Sequence, residues 1–240
     1  MPLLGAHQSI AGGLHRALER GRAAGCAAVQ LFTRSSRQWA ARPLGEDDVR
    51  AFAAARAASV THPGAHCGAG EAAGLGAAAH SLGEALGACR GYPATVALEN
   101  TAGQGTQIGV RFDQLARLVA ETRDGERLRV CVDTQHAFAA GYDMRSEDGY
   151  AAMVAELERT VGVERLVAFH LNDAKKGLGS RVDRHEHIGR GELGRGAFRR
   201  LLRDPHFHDL PMCLETPKTP DPDDHRDDRR NLAVLRRLLA

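Results

Sequence analysis

Residues 95–133 read TVALENTAGQGTQIGVRFDQLARLVAETRDGERLRVCVD, and this stretch decides the fold. Thr95–Glu99 (TVALE) is a short apolar run that ends on a carboxylate. Val130–Asp133 (VCVD) is another and ends the same way. Between them Phe112–Glu121 reads as a helix. Strand, helix, strand is the unit from which a parallel sheet with outer helices is built.

The alternation extends in both directions. Leu3–Ala6, Ala27–Phe32, Leu166–His170 and Met212–Glu215 read as further buried strands, and Ser59–Thr61 as a stub of one. Gly13–Ala24, Glu46–Ala58, Glu71–Cys89, Gly149–Val161, Ala197–Leu202 and Arg226–Leu239 read as helices. No internal repeat or low-complexity linker breaks the pattern, so residues 1–240 are expected to form one α/β domain. The strand ends choose between the parallel folds. His7, His62, Glu99, Asp133, His170 and Glu215 each end or follow a strand. A (β/α) barrel of the TIM type gathers its strand C-termini on one face and builds its site there. A doubly wound sheet concentrates chemistry at a switch point, usually beside a phosphate loop. No GxGxxG follows the first strand and no GxxxxGKS occurs, while Gly103–Gly109 reads as a tight loop. The seven strand candidates fall one short of a closed barrel.

Composition is that of an ordinary globular chain: 240 residues, 43% hydrophobic, 26% charged, net charge +2. That excludes disorder and collagen-like sequence. No apolar run approaches the roughly 20 residues of a membrane span. The opening MPLLGAHQSI lacks a basic region followed by an apolar core, so no secretory leader is expected and a cytoplasmic location is. Cys26, Cys67, Cys89, Cys131 and Cys213 stand far apart with no CxxC pair, which fits reduced thiols.

Carboxylates and imidazoles at successive strand ends point to a metal centre, because zinc takes His nitrogen and Asp or Glu oxygen. Asp133 and His136 are one helical turn apart. Asp183 and His185 are two apart, so an extended segment turns both to one side. Any single one of these is more often a capping or hydrogen-bonding residue. Eight on one face are different, since burying them unpaired is very costly.

Eight blocks in order carry a resemblance. They are GAHQSIAGG (5–13), LFTRSSRQW (31–39), HPGAH (62–66), LENTAGQG (98–105), CVDTQHAFAAGYD (131–143), FHLNDAK (169–175), GSRVDRHEHIG (179–189) and LETPK (214–218). The chain resembles the endonuclease IV family of abasic-site endonucleases, whose fold is a xylose-isomerase-like (β/α) barrel. The resemblance implies a DNA-repair hydrolase with three zinc ions. It would cut the phosphodiester 5′ to an abasic site, leaving a 3′-hydroxyl and a 5′-deoxyribose phosphate. Carried over position by position, Glu99 matches the carboxylate bridging two zincs and is the expected catalytic residue. His62 matches a ligand of the first zinc. Asp133, His170 and Glu215 match the remaining ligands of the second. His136, Asp183 and His185 match the set holding the third. His7 is expected to support the site at most. Arg37 matches the residue that reaches into the duplex, in a loop that also holds Arg34, Trp39 and Arg42. Lys175, Lys176, Arg181 and Arg184 form a second basic patch. The expected partner is double-stranded DNA with abasic sites, met by a monomer with no membrane involvement.

The chain also departs from the family. Nine protein ligands are usual and eight are present, because about one βα unit, with its His-bearing loop, is missing before His62. An incomplete barrel of about seven strands is therefore expected, with about two tightly held zincs, lower stability than a full-length relative and weak or absent activity. His66 is the first candidate to fill the vacant place, and His80 reads as a surface residue. Gln135 stands where Cys is common, and Arg190 where an acidic residue is usual. Two other readings fit parts of the pattern: a metal-dependent sugar isomerase or epimerase on a related barrel, and a protein that binds damaged DNA without cutting it.

The Arg37 match gives a first expected outcome. Arg37→Ala weakens binding to an abasic duplex more than to an intact one, because lesion entry needs an inserted side chain. Gel-shift titrations with both duplexes measure it; equal losses would make Arg37 a plain phosphate contact.

Overall fold

A computed structural model of the chain describes residues 1–11, 14–30, 58–90 and 95–240. Its centre is a parallel sheet. The strands are β1 (Leu3–His7), β2 (Ala28–Gln30), β3 (Ala58–Thr61), β4 (Thr95–Glu99), β5 (Leu128–Asp133), β6 (Leu166–Leu171) and β9 (Pro211–Leu214). A separate two-stranded ribbon, β7 (Asp173–Ala174) with β8 (His185–Glu186), stands beside it. The helices are α1 (Leu14–Ala24), α2 (Glu71–Ala88), α3 (Phe112–Glu121), α4 (Thr134–Ala140), α5 (Glu147–Thr160), α6 (Gly194–Arg203) and α7 (Arg226–Leu239).

The sheet order is β2-β1-β9-β6-β5-β4-β3, and every neighbouring pair is parallel. These seven strands form an open half-barrel, matching the incomplete barrel expected. Among the described residues the opening falls between β2 and β3, which stand at opposite edges of the sheet. Residues 31–57, which join them, lie outside the described residues, and with them the Arg37 loop and the expected helix Glu46–Ala58 except for Ala58, which begins β3 instead of ending a helix.

The helices follow from their apolar spacing. Phe112, Leu115 and Leu118 bury one face of α3. Leu232, Leu235 and Leu238 do the same in α7. Phe198, Leu201 and Leu202 cover the sheet from α6, with Arg199, Arg200 and Arg203 on the same helix. Each buried Leu or Phe contributes about 1.5–3 kcal/mol. Among the described residues no helix is long and apolar enough to cross a membrane.

Two elements differ from the expectation. α4 begins directly after β5 because the Asp133 carboxylate caps it, accepting from the His136 N–H at 2.9 Å. A seven-residue helix gives too little periodicity to be seen in sequence. The β7–β8 ribbon is as short, and it closes the loop that brings His185 back over the sheet.

Asp173 anchors the segment beyond the ribbon. It is fully buried. Oδ1 accepts from the N–H groups of Ala174 and Leu193, and Oδ2 from that of Gly189. Asp173→Ala strands the Gly189 and Leu193 donors, at about 1–3 kcal/mol each. The expected result is a loss of about 3 kcal/mol of stability, read by urea unfolding of chelated protein so that metal loss does not contribute.

Candidate metal centre

The C-terminal ends of the central strands meet at one rim. Glu99 ends β4, Asp133 ends β5, His170 lies one residue from the end of β6 and Glu215 follows β9. Parallel register sets them side by side: Asp133 is level with His170, and His170 with Cys213. The ligand atoms of Glu99, Asp133, His170 and Glu215 all lie within 4.8 Å of one another. Glu99 is the hub. Its Oε1 is 2.7 Å from His170 Nδ1 and 3.5 Å from His136 Nδ1, and its Oε2 is 3.2 Å from His62 Nε2. Glu215 Oε2 lies 3.4 Å from His170 Nδ1, and its Oε1 lies 3.6 Å from His7 Nδ1.

A second cluster stands against the first. His136, on α4, and His185, on β8, point their Nε2 atoms at each other across 3.4 Å. Asp183 Oδ1 is 3.4 Å from His136 Nε2 and 3.3 Å from His185 Nε2. Asp133 Oδ2 is 3.9 Å from His185 Nε2. The other nitrogens fix the tautomers. His136 Nδ1 meets the Asn100 carbonyl at 3.0 Å, and His185 Nδ1 meets the Glu215 carbonyl at 3.0 Å. A carbonyl only accepts, so both Nδ1 atoms carry hydrogen. In the neutral rings both Nε2 atoms are then lone pairs facing each other, which is repulsive unless a cation or a proton lies between them. Imidazoles whose second nitrogen donates to a carbonyl are the usual form of metal-bound His. With carboxylates completing the groups Asp133–His136–His185 and His62–Glu99–His136, the donor set fits zinc.

Asp133, His136 and His170 are buried, Glu99 nearly so, while the His62 side chain is 43% exposed and Asp183 36%. The site is thus a pit with one wet side. Burial opposes ionisation of Glu99, but the charge on His170 and hydrogen bonds from His136, His170 and His62 hold its pKa well below the usual range. Burial likewise opposes charge on Glu215, and His170 and His7 overcome it, lowering its pKa. Asp183 is lowered by its hydrogen bond with His136. Burial disfavours protonation of His136, yet Asp133, Asp183 and Glu99 raise it well above its ordinary value. His170 is raised similarly against burial by Cys131, Glu99 and Glu215. His62 is raised against burial by Glu99.

Residues that sequence reasoning missed hold this arrangement. Asn100 donates to the Asp133 carbonyl and accepts from the Asp133 N–H. Asn172 donates to Asp133 Oδ2 at 2.6 Å and accepts from the Glu215 N–H at 3.0 Å. Thr134 donates to the Asn172 carbonyl at 2.7 Å. Each Asn stands one or two residues beyond a candidate ligand, in LEN and HLN, and a polar residue there was the available signal. Gln135 donates to the Val182 carbonyl and ties α4 to the loop bearing Asp183. His66 Nδ1 accepts from Gly68 and Gly70, shaping a turn, and His66 is in none of the three donor groups. His80 is exposed on α2. Lys175, Lys176, Arg181 and Arg184 are exposed beside Asp183 and His185. Arg37 lies outside the described residues.

The profile of the family described as "Xylose isomerase-like TIM barrel" matches residues 53–238. A protein of Chloroflexus aggregans named "Probable endonuclease 4" is 43% identical, over all of this chain and 98% of its own length. That alignment runs to 284 positions against 240 residues here, so 44 positions of the relative face no residue of this chain. Another "Probable endonuclease 4", from Oleidesulfovibrio alaskensis, is 45% identical over 99% of this chain and 95% of its own. Among solved structures, endonuclease IV from Thermus thermophilus superposes with a TM-score of 0.78 at 36% identity, covering 99% of both chains. A D-tagatose 3-epimerase-like protein shares the fold alone, with a TM-score of 0.57 at 20% identity over 75% of this chain and 61% of that one.

The shifted groups set a pH dependence. The lowered carboxylates add stability above the ordinary carboxylate range and lose it as pH falls through their depressed values. The raised imidazoles add stability that is complete below about pH 6.5 and is lost as pH rises through their elevated values. The thermal midpoint of chelated protein is therefore expected to fall as pH rises above about 6.5. A metal ion held there would displace protons from the same nitrogens, so the stabilisation it adds should grow as pH rises. Thermal unfolding with chelator and with zinc at each pH reads both trends. A chelated midpoint that stays level contradicts the charge arrangement.

Proposed function

The chain belongs to the endonuclease IV family of xylose-isomerase-like TIM barrels, and from that premise we propose that it is a zinc-dependent endonuclease of DNA base-excision repair. Its substrate is double-stranded DNA with an abasic site. It hydrolyses the phosphodiester 5′ to the lesion and leaves a 3′-hydroxyl and a 5′-deoxyribose phosphate. Residues 1–240 act as one domain and as a monomer. The observation that carries the reading is the pair of imidazole Nε2 atoms facing each other at 3.4 Å, with carboxylates around them, beside the four-donor group of Glu99.

Glu99, Asp133, His170 and Glu215 would hold one zinc. His136, Asp183 and His185 would hold another. His62 and Glu99 supply what remains of a third set. When bound, zinc supplies a Lewis acid for the phosphate and brings the pKa of a water toward neutrality. Glu99 sits between the buried donors and exposed His62, so its carboxylate orients the attacking water at the wet side of the pit. The tautomers fixed by the Asn100 and Glu215 carbonyls keep His136 and His185 in their ligating form through turnover. Lys175, Lys176, Arg181 and Arg184 face solvent beside the pit and contact backbone phosphates, with Arg37 entering at the lesion.

Incubation with a duplex carrying one abasic analogue, with and without added zinc, tests the function. Cleavage with a polymerase-extendable 3′ end is expected, and binding without cleavage overturns it. Glu99→Gln removes any cleavage, because a neutral amide is a weaker ligand and cannot orient the water. Normal turnover in that variant would sink the assignment. Metal content gives a further outcome. Two full sets and a two-residue remnant should retain about two zincs per chain after dialysis against a mild chelator, as elemental analysis would show. Three retained ions would mean that another side chain completes the remnant.

A further inference from the structure

We infer that Gln30 is a positioning residue for Glu215, setting which of its oxygens faces the metal. This rests on the reading of Glu215 as a metal ligand. Gln30 ends β2 at the open edge of the sheet, level with His7. Its Nε2 donates to Glu215 Oε1 at 2.6 Å. The other oxygen, Oε2, is the one 3.4 Å from His170 Nδ1.

The main chain of Glu215 is already held. Its N–H donates to Asn172 Oδ1, and its carbonyl accepts from His185 Nδ1. What remains is the direction of the side chain: His7 Nδ1 stands 3.6 Å from Oε1, and the Gln30 amide makes the shorter, directed bond to the same oxygen. A donor to an ionised carboxylate makes a short, strong bond. The β2 end is itself fixed, since the Gln8 N–H donates to the Gln30 carbonyl at 2.7 Å.

The amide cannot face the other way. An ionised carboxylate only accepts, so turning the amide over sets oxygen against oxygen. The outcome is visible on the far side: among the described residues Gln30 Oε1 is buried with no hydrogen-bond partner. A buried unpaired acceptor is a standing cost. An apolar side chain of the same size would fill this space without it. Packing therefore does not account for Gln30, and the carboxylate does. Partners standing behind metal ligands typically change affinity about 10–100-fold when removed.

Two isosteric variants separate this role from packing. Gln30→Met removes the donor and keeps the shape. Gln30→Glu keeps the shape and sets a second carboxylate against Glu215. Zinc affinity is read by competition with a colorimetric chelator, site geometry by the visible spectrum of the cobalt(II)-loaded protein, and folding by the thermal midpoint of chelated protein. The expected order is wild type, then Met weaker by about 10-fold, then Glu weaker still, for one ion only, with an altered cobalt spectrum. The Met variant should keep the chelated midpoint. Unchanged zinc affinity in both variants, or a loss matched by a fall in the chelated midpoint, overturns the inference. If Gln30→Glu does not fold, Gln30→Met carries the test alone. Glu215→Gln is the control: if it keeps wild-type affinity, the metal reading beneath the inference fails. If it loses the ion while Gln30→Met retains it, the inference about Gln30 alone fails.

Discussion

Like charges brought together out of water are the constraint on which this structure turns. Glu99, Asp133 and Glu215 set three carboxylates within 4.8 Å of one another. At such separations each pair repels by about 3–4 kcal/mol, taking an effective dielectric constant of about 20. Three pairs come to about 10 kcal/mol, comparable to the whole stability of a typical domain. His170 and His136 offset this only while protonated, which is why burial fails to lower their pKa values. A divalent cation resolves the same repulsion without protons. Protons and a metal ion would therefore compete for the rim.

Holding those groups together needs a frame that does not relax, and the sheet supplies it in layers. Strand register brings the carbon atoms level; it does not aim the side chains. Aiming falls to the side-chain amides. Asn100 and Asn172 both bind Asp133, and Asn172 also binds the Glu215 main chain. One side chain thus links the ends of β5, β6 and β9. Asp173, next in sequence, serves the scaffold instead: it accepts from the Ala174 N–H within the ribbon and from the Gly189 and Leu193 N–H groups of the segment beyond it. Adjacent residues in HLND serve the site and the scaffold in turn, as the two-residue period of extended backbone requires.

That division explains what the sequence disclosed. The four-donor group could be read because each member ends an apolar run: TVALE, VCVD, LVAFH and MCLE announce both the strand and its terminal ligand. The incomplete barrel could be read because the chain leaves little room before His62 for a full βα unit, and among the described residues the sheet opens between β2 and β3. α4 and the β7–β8 ribbon could not be read, being too short to show periodicity. The roles of Asn100, Asn172 and Gln30 were hidden for another reason. Their partners lie 33, 39 and 185 residues away in the chain, and only the fold brings them together. His136 showed its spacing from Asp133, but its tautomer depends on a carbonyl 36 residues distant.

The position of the opening bears on which part of the centre depends on it. Glu99, Asp133 and His170 stand on β4, β5 and β6, each paired on both sides. The donors nearest the edges are His62, which follows edge strand β3, and Glu215, which follows β9 and takes a hydrogen bond from edge strand β2. Among the described residues β2 and β3 are paired on one side only, and a strand paired on one side holds its residues less firmly. Glu215 escapes this because Asn172 and His185 hold its main chain from the interior. His62 has its contact with Glu99, and its side chain remains 43% exposed. A gap in the wall therefore does not loosen the centre evenly. It leaves the middle of the sheet with its donors converged, and concentrates the loss of constraint on the single imidazole at the β3 edge.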